Sequence, residues 1–176
     1  MSENVVKLAD LKVRATVQPP AFVLTDAERH EIEHELTHYP DSRAASIEAL
    51  KIVQKHRGWV PDGAYEPIGK IIGMGAAELM GVATFYSLIF KKPVGRHVIK
   101  VCDSISCFLT GYDEIKAALE KKLGIAYGQT TTDQRFTLLP ICCLGDCDRG
   151  PALMVDDDQH GNVTPAGLDK ILEAYK

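Results

Sequence analysis

The chain has 176 residues, with 20 Lys and Arg against 24 Asp and Glu, so its formal net charge is −4 when the histidines are neutral. Hydrophobic residues make up 45% and charged residues 25% of the composition, which is typical of a globular protein and excludes collagen-like repeats and intrinsic disorder. A nucleic-acid-binding protein is disfavoured, because there is no excess of basic residues to neutralise phosphates.

No targeting or membrane segment is predicted. The first residues contain no basic stretch followed by an apolar one, as a secretory signal would. The longest apolar run, residues 79–90, is shorter than the roughly 20 residues that a spanning helix needs. We therefore expect a cytoplasmic protein with no membrane insertion, in a compartment where thiols stay reduced.

The first half of the chain is predicted to be helical. Residues 1–20 have no sustained periodicity and are expected to form a flexible arm. Thr25 and Glu28 then have the spacing of a helix capping box, and Gly58 is a typical helix end. Four helices are predicted, over residues 25–39, 42–57, 64–72 and 76–80.

From residue 93 the pattern changes to short β-rich segments. Strands are predicted over residues 97–101, 135–141, 152–155 and 162–163. Helices are predicted over residues 112–123 and from an N-cap at Thr164 to Tyr175. The second half is therefore expected to be a small sheet covered by helices.

Four of the five cysteines form two pairs, Cys102 with Cys107 and Cys143 with Cys147. Each pair follows a predicted strand, so neighbouring strand ends in one sheet can bring the four thiols together. Clustered thiolates repel one another and protonate unless a cationic centre binds them.

Three interpretations of this pattern remain open on spacing alone. Zinc sites usually have pairs separated by about two to four residues, most often as C-x-x-C. Both pairs here are looser than C-x-x-C, which makes zinc less favoured. A dithiol redox site needs the absent C-x-x-C. An iron–sulfur cluster accepts looser loops and is favoured, while unrelated buried or oxidised cysteines are the third possibility.

Motifs around these cysteines carry a resemblance to a known family. Residues 133–151 begin with Asp133 and the dipeptide Phe136-Thr137. The cysteine pair Cys143 and Cys147 follows, and residues 148–151 are Asp-Arg-Gly-Pro. Residues 43–50, 58–61, 81–86 and 93–97 extend the likeness upstream. Together these segments resemble the small iron–sulfur subunit of bacterial NADH:quinone oxidoreductase, which is the E-type subunit of respiratory complex I and is related to the mitochondrial flavoprotein-2 subunit.

The resemblance implies a fold and a cofactor. The fold is α/β: a thioredoxin-like 2Fe–2S ferredoxin domain over residues 93–176, preceded by an N-terminal helical bundle over residues 21–92 that binds a partner. The cofactor is one 2Fe–2S cluster, and the residues that bind it are also the expected metal ligands. Its implied ligands are Cys102, Cys107, Cys143 and Cys147, with one pair on each iron. Cys142 matches no ligand position and is predicted to be a buried or shielded thiol.

The resemblance also implies a role in electron transfer. The chain is expected to exchange single electrons with the FMN of a partner flavoprotein (of the F type) during NADH oxidation, and to contact the large iron–sulfur subunit. FMN and NADH are expected on the partner, because Gly73 and Gly75 follow a helix and lack the third glycine of a dinucleotide-binding loop. The complex is expected on the cytoplasmic side of the inner membrane. Whether the cluster is an obligatory step or a side reservoir is left open.

Two other functions remain as alternatives. The chain could be the equivalent subunit in the diaphorase module of an NAD-linked hydrogenase or formate dehydrogenase. From another class, it could be a zinc-stapled structural adaptor without a redox role.

One apparent catalytic motif is interpreted as incidental. His30, Glu31 and His34 match the H-E-x-x-H pattern of zinc proteases. At about 100° per residue, both histidines lie opposite Ile32, which marks the buried face of the helix. They are predicted to be solvent-exposed.

Overall fold

The structure is a computed structural model that describes residues 22–176, where seven α-helices and one four-stranded sheet form. The arm predicted for residues 1–20 lies outside the described residues. The helices are α1 (Asp26–Leu36), α2 (Ser46–Arg57), α3 (Tyr65–Ile72), α4 (Ala76–Phe85), α5 (Ile105–Thr110), α6 (Tyr112–Leu123) and α7 (Leu168–Glu173). The strands are β1 (His97–Cys102), β2 (Phe136–Ile141), β3 (Leu153–Val155) and β4 (Asp158–His160).

Local sequence signals fix the ends of the first helices as predicted. The Thr25 backbone N–H donates to Glu28 Oε2 at 2.7 Å, and the Glu28 N–H donates to Thr25 Oγ1 at 3.2 Å. This reciprocal pair satisfies two donors that the first turn of α1 leaves free. At the end of α2, Gly58 takes a φ of 79°, a conformation that glycine adopts without steric strain.

Helices α1 to α4 enclose the first hydrophobic core. Its largest fully buried side chains are Ile32, Leu50, Ile68, Ile72 and Leu79. Each such side chain contributes about 1.5–3 kcal/mol on burial. These contributions hold together four short helices that would be marginal in isolation.

On α1 the buried face is the one predicted from the spacing of the apolar residues. Ile32 is fully buried, whereas His30 and His34 are exposed. The prediction that these histidines lie on a solvated face is confirmed.

The sheet has the strand order β2-β1-β3-β4, with β1 parallel to β2 and antiparallel to β3. Ile99 and Val101 of β1 pack with Ile115 and Leu119 of α6 in the second core. The two cores are built from separate stretches of sequence, and residues 92 and 93 lie between them. The division into domains at that point stays a prediction.

Two predicted elements near the C-terminus are wrong in position. The fourth strand is Asp158–His160 rather than 162–163, because Asp156 has a φ of 52° and the chain reverses immediately, pairing Val155 with Asp158. The last helix begins at Leu168. Its predicted N-cap, Thr164, instead accepts hydrogen bonds from Gly167 N–H, which closes a turn before the helix.

Two helices were under-predicted. Helix α4 extends from Ala76 to Phe85 rather than stopping at residue 80, because Leu79 and Ala83 are buried one turn apart in the first core. Helix α5, Ile105–Thr110, was not predicted, and it contains Cys107.

Within residues 22–176, no single helix has both the length and the apolar character needed to cross a membrane. Residues 62–72 and 76–85 meet that test only when taken together, and the two segments meet at a bend of 113°.

Candidate metal centre

The topology of the sheet places the two cysteine pairs at one edge. Cys102 is the last residue of β1 and is in register with Ile141, the last residue of the parallel strand β2. The backbone N–H of Asp103 donates to the Ile141 carbonyl at 3.0 Å, which keeps the two chains side by side past the strand ends. Since parallel strands end at the same edge, the residues that follow β2 come next to Cys102.

The first pair, Cys102 and Cys107, is buried, with each residue 2% exposed. Cys107 lies in α5 and packs with Cys102 and Ala152 in one buried cluster. Burial, followed by the contact with Cys102, raises the pKa of the Cys107 thiol to about 11. Without a cation this thiol stays protonated at neutral pH, so the binding of a metal centre would release a proton.

The second pair is in the loop after β2. The sulfurs of Cys143 and Cys147 are 3.3 Å apart, and the Gly145 N–H donates to Cys143 Sγ at 3.3 Å. Gly145 has a φ of 82°, which allows its N–H to turn back toward the sulfur. This N–H, together with Cys147, lowers the pKa of Cys143, while the neighbouring Cys143 raises the pKa of Cys147.

Contacts across the site bring the two pairs together. Leu144, from the second pair's loop, packs against Cys102, Cys107 and Ala152. The side chain of Ser106, next to Cys107, lies close enough to Cys147 to oppose the rise in the pKa of that thiol. All four predicted site residues therefore meet at the carboxyl ends of β1 and β2.

The four thiols are arranged as two adjacent pairs. In the described part of the chain, no three His, Cys, Asp or Glu side chains are positioned to hold a single metal ion. Four cysteine sulfurs, with the Gly145 N–H directed at the sulfur of Cys143, match the donor set that a 2Fe–2S cluster requires. The residues present fit that group.

Cys142 lies outside this arrangement. The prediction that it is buried or shielded is wrong, because it is exposed. It follows β2, the strand at one end of the sheet, and burial decreases toward the end of that strand.

Sequence reasoning missed the element that carries Cys107 and the two residues that contact the sulfurs, Ser106 and Ala152. The two ends of α5 could have been predicted from the sequence. Ser104 is a typical N-cap residue, and Gly111 follows the last turn. The proximity of Ser106 and Ala152 to the sulfurs has no sequence signal, because it depends on two loops that meet in space.

Two pairs of thiols at the end of a parallel strand pair, with a backbone N–H directed at one sulfur, define a small iron–sulfur protein of the thioredoxin-like class. Comparison with known proteins agrees. Residues 32–176 match the family of thioredoxin-like 2Fe–2S ferredoxins, and the chain belongs to this family.

Relatives that are similar over most of the chain identify one kind of subunit within this family. The chain is 61% identical over 159 residues to the E-type subunit of the NADH-quinone oxidoreductase of Pseudomonas aeruginosa and 62% identical over 159 residues to that of Escherichia coli. Each alignment covers 90% of this chain and 96% of the relative. The predicted family and the predicted thioredoxin-like fold with N-terminal helices are confirmed.

A solved structure has a similar fold. An NAD+-reducing NiFe hydrogenase superposes on 74% of this chain and 22% of its own chain, with a TM-score of 0.63 and 22% sequence identity. At that identity the likeness concerns the fold alone.

Proposed function

We propose that the chain is the electron-transfer subunit of an NADH:quinone oxidoreductase, and that Cys102, Cys107, Cys143 and Cys147 hold its single 2Fe–2S cluster. The observation that carries the proposal is the meeting of two cysteine pairs at one sheet edge. It occurs in a chain that is 61–62% identical to E-type relatives over 90% of its length.

The residues around the thiols suit a site for electron transfer without substrate chemistry. When bound, a 2Fe–2S cluster takes up and releases one electron at a time, and it forms no bond to substrate. Leu144 and the buried Cys102 and Cys107 exclude water from one side. The Gly145 N–H stabilises negative charge on the Cys143 sulfur. The chain is therefore part of an oxidoreductase and is not catalytic alone.

The proposal also names the subunits that bind this chain. FMN and NADH are bound by a flavoprotein of the F type, and the large iron–sulfur subunit is a further neighbour in a complex on the cytoplasmic side of the inner membrane. Exposed apolar side chains support protein contacts on both halves of the chain. Phe85 is 80% exposed at the end of α4, and Leu109 is 76% exposed on α5, beside the thiols.

A cysteine-to-serine series tests the ligand assignment. Anaerobically prepared wild-type protein should be brown, contain iron and acid-labile sulfide, and bleach with dithionite. C143S should lose most of the cluster, because a serine hydroxyl replaces one thiolate ligand, whereas C142S should retain it. C142S is the matched control, since it makes the same change one residue away.

The opposite results would contradict specific parts of the proposal. Loss of the cluster in C142S with retention in C143S would reverse the ligand assignment. Colourless protein that contains zinc and no iron would support the zinc-stapled adaptor instead.

Co-purification tests the partner. A tagged chain expressed at native level should isolate a flavoprotein that contains FMN and oxidises NADH, together with membrane subunits of a quinone reductase. Isolation with hydrogenase or formate dehydrogenase subunits instead would favour the diaphorase alternative.

A further inference from the structure

A buried carboxylate lies between the two cysteines of the second pair. Asp146 is 7% exposed, although both of its neighbouring residues, Gly145 and Cys147, are exposed. Its Oδ1 accepts a hydrogen bond from Arg149 Nε at 2.7 Å. Its Oδ2 is buried and has no hydrogen-bond partner. Burial of a charged oxygen without a partner is unfavourable, so its position needs an explanation.

The segment after β4 encloses this ion pair. A Cβ atom at Gly161 would lie 2.7 Å from Asp146 Oδ2 and 2.6 Å from Arg149 Cβ, so no larger residue fits without a shift. The next residue, Asn162, donates its backbone N–H to the Arg149 carbonyl at 2.5 Å. Within the loop, the Arg149 N–H donates to the Asp146 carbonyl at 3.1 Å. The segment after β4 thereby holds the loop that contains the cysteines.

We propose that the Asp146–Arg149 ion pair, enclosed at Gly161, is a positioning element that fixes the Cys143–Cys147 loop and lowers the midpoint potential of the cluster. This inference rests on the proposed function, since it concerns the cluster that these cysteines hold.

The sign of the effect follows from the exposure of the two charges. Reduction adds a negative charge to the cluster, which a nearby carboxylate opposes and a nearby guanidinium favours. The side chain of Asp146 is 6% exposed and that of Arg149 is 54% exposed. Water therefore screens the positive charge more than the negative one. The carboxylate dominates, and the pair as a whole makes the cluster harder to reduce.

A redox titration of the full-length, cluster-containing protein, followed by electron paramagnetic resonance, tests the effect on potential. D146N keeps the shape of the side chain and removes the charge. We expect it to raise the equilibrium constant for reduction about threefold or more, an upward shift of about 28 mV or more at about 59 mV per tenfold change. R149Q should shift the midpoint downward, because the carboxylate then acts without its partner.

D148N is the matched control. Asp148 is on the other side of Cys147, carries the same charge and is exposed. We expect its midpoint shift to be less than half that of D146N. Equal shifts in D146N and D148N, or a shift of R149Q in the same direction as D146N, would overturn the proposed role.

The positioning role has a test that does not need the cluster. In cluster-free protein, hydrogen exchange at the Asn162 amide should speed up at least tenfold in D146A relative to D146N, because only Asn can still accept the Arg149 hydrogen bond. Equal exchange in the two variants would refute the positioning role. If wild-type protein binds no cluster, the proposed function is refuted. The hydrogen-exchange comparison would still decide whether the ion pair fixes the loop.

Discussion

Glu28 offers a stability test whose magnitude the structure defines. Its side chain is 1% exposed and accepts hydrogen bonds from Arg57 Nε at 2.5 Å and from Arg57 Nη2 at 2.6 Å. It also caps α1 through Thr25. Replacement by Gln keeps the size of the side chain and removes the charge. One of the two acceptor oxygens becomes an NH2 group that faces the Arg57 donors.

The expected loss follows from the pKa of this carboxyl. The hydrogen bond from Arg57 lowers the pKa of Glu28 from its ordinary value of 4.5 to about 2, against the opposing effect of burial. At about 1.36 kcal/mol per pKa unit, this corresponds to about 3 kcal/mol of stability when the group is ionised. E28Q should therefore lower the free energy of unfolding by about 3 kcal/mol at pH 7, a value in line with the breaking of a buried ion pair.

The lowered pKa of Glu28 also makes this contribution to stability depend on pH. The folded-state pKa is below the unfolded one, so the contribution is fully present above about pH 4.5 and is lost as the pH falls through about 2. The difference between wild type and E28Q should therefore be largest at neutral pH and should shrink below pH 4.5.

Urea denaturation followed by tryptophan fluorescence is the assay. Trp59 is the only tryptophan, and it follows α2, so it reports on the helical core. E66Q is the control, because Glu66 forms an exposed i,i+4 pair with Lys70 and its loss should change stability little. A difference for E28Q that is no larger than that for E66Q, or that stays constant from pH 7 to pH 2.5, would refute the argument.

Two further substitutions test the packing of the helical core by the same denaturation assay. In Y65F the free energy of unfolding should stay unchanged or rise by up to about 1 kcal/mol, because the buried Tyr65 hydroxyl has no hydrogen-bond partner; a loss above about 1 kcal/mol would show that it has one. In G69A the new Cβ would lie 2.4 Å from the Met74 carbonyl oxygen, so we expect a loss of about 1–3 kcal/mol despite the better helix propensity of Ala; equal stability would mean that this loop adjusts freely.

Much of the helical half could be predicted, because its signals are local. The capping box at Thr25 and the glycine end at Gly58 depend only on residues within four positions along the chain. The apolar spacing around Ile32 likewise identified the exposed histidines. The C-terminal elements were less predictable. Thr164 and Pro165 are a typical helix start, but the chain first closes a turn at Gly167 and the helix begins only at Leu168.

The sequence by itself determined which residue types are available to the site: two spaced cysteine pairs, each after a β-rich segment, in a chain whose longest apolar run is too short for a spanning helix. Residue order along the chain is enough for this, because ligand chemistry and helix capping are local properties. Only the tertiary structure decided that β1 and β2 are parallel neighbours, that Ser106 reaches Cys147, and that Asp146 is enclosed beneath Gly161. These contacts join residues 15 to 41 positions apart, and their energies exist only after both cores have packed.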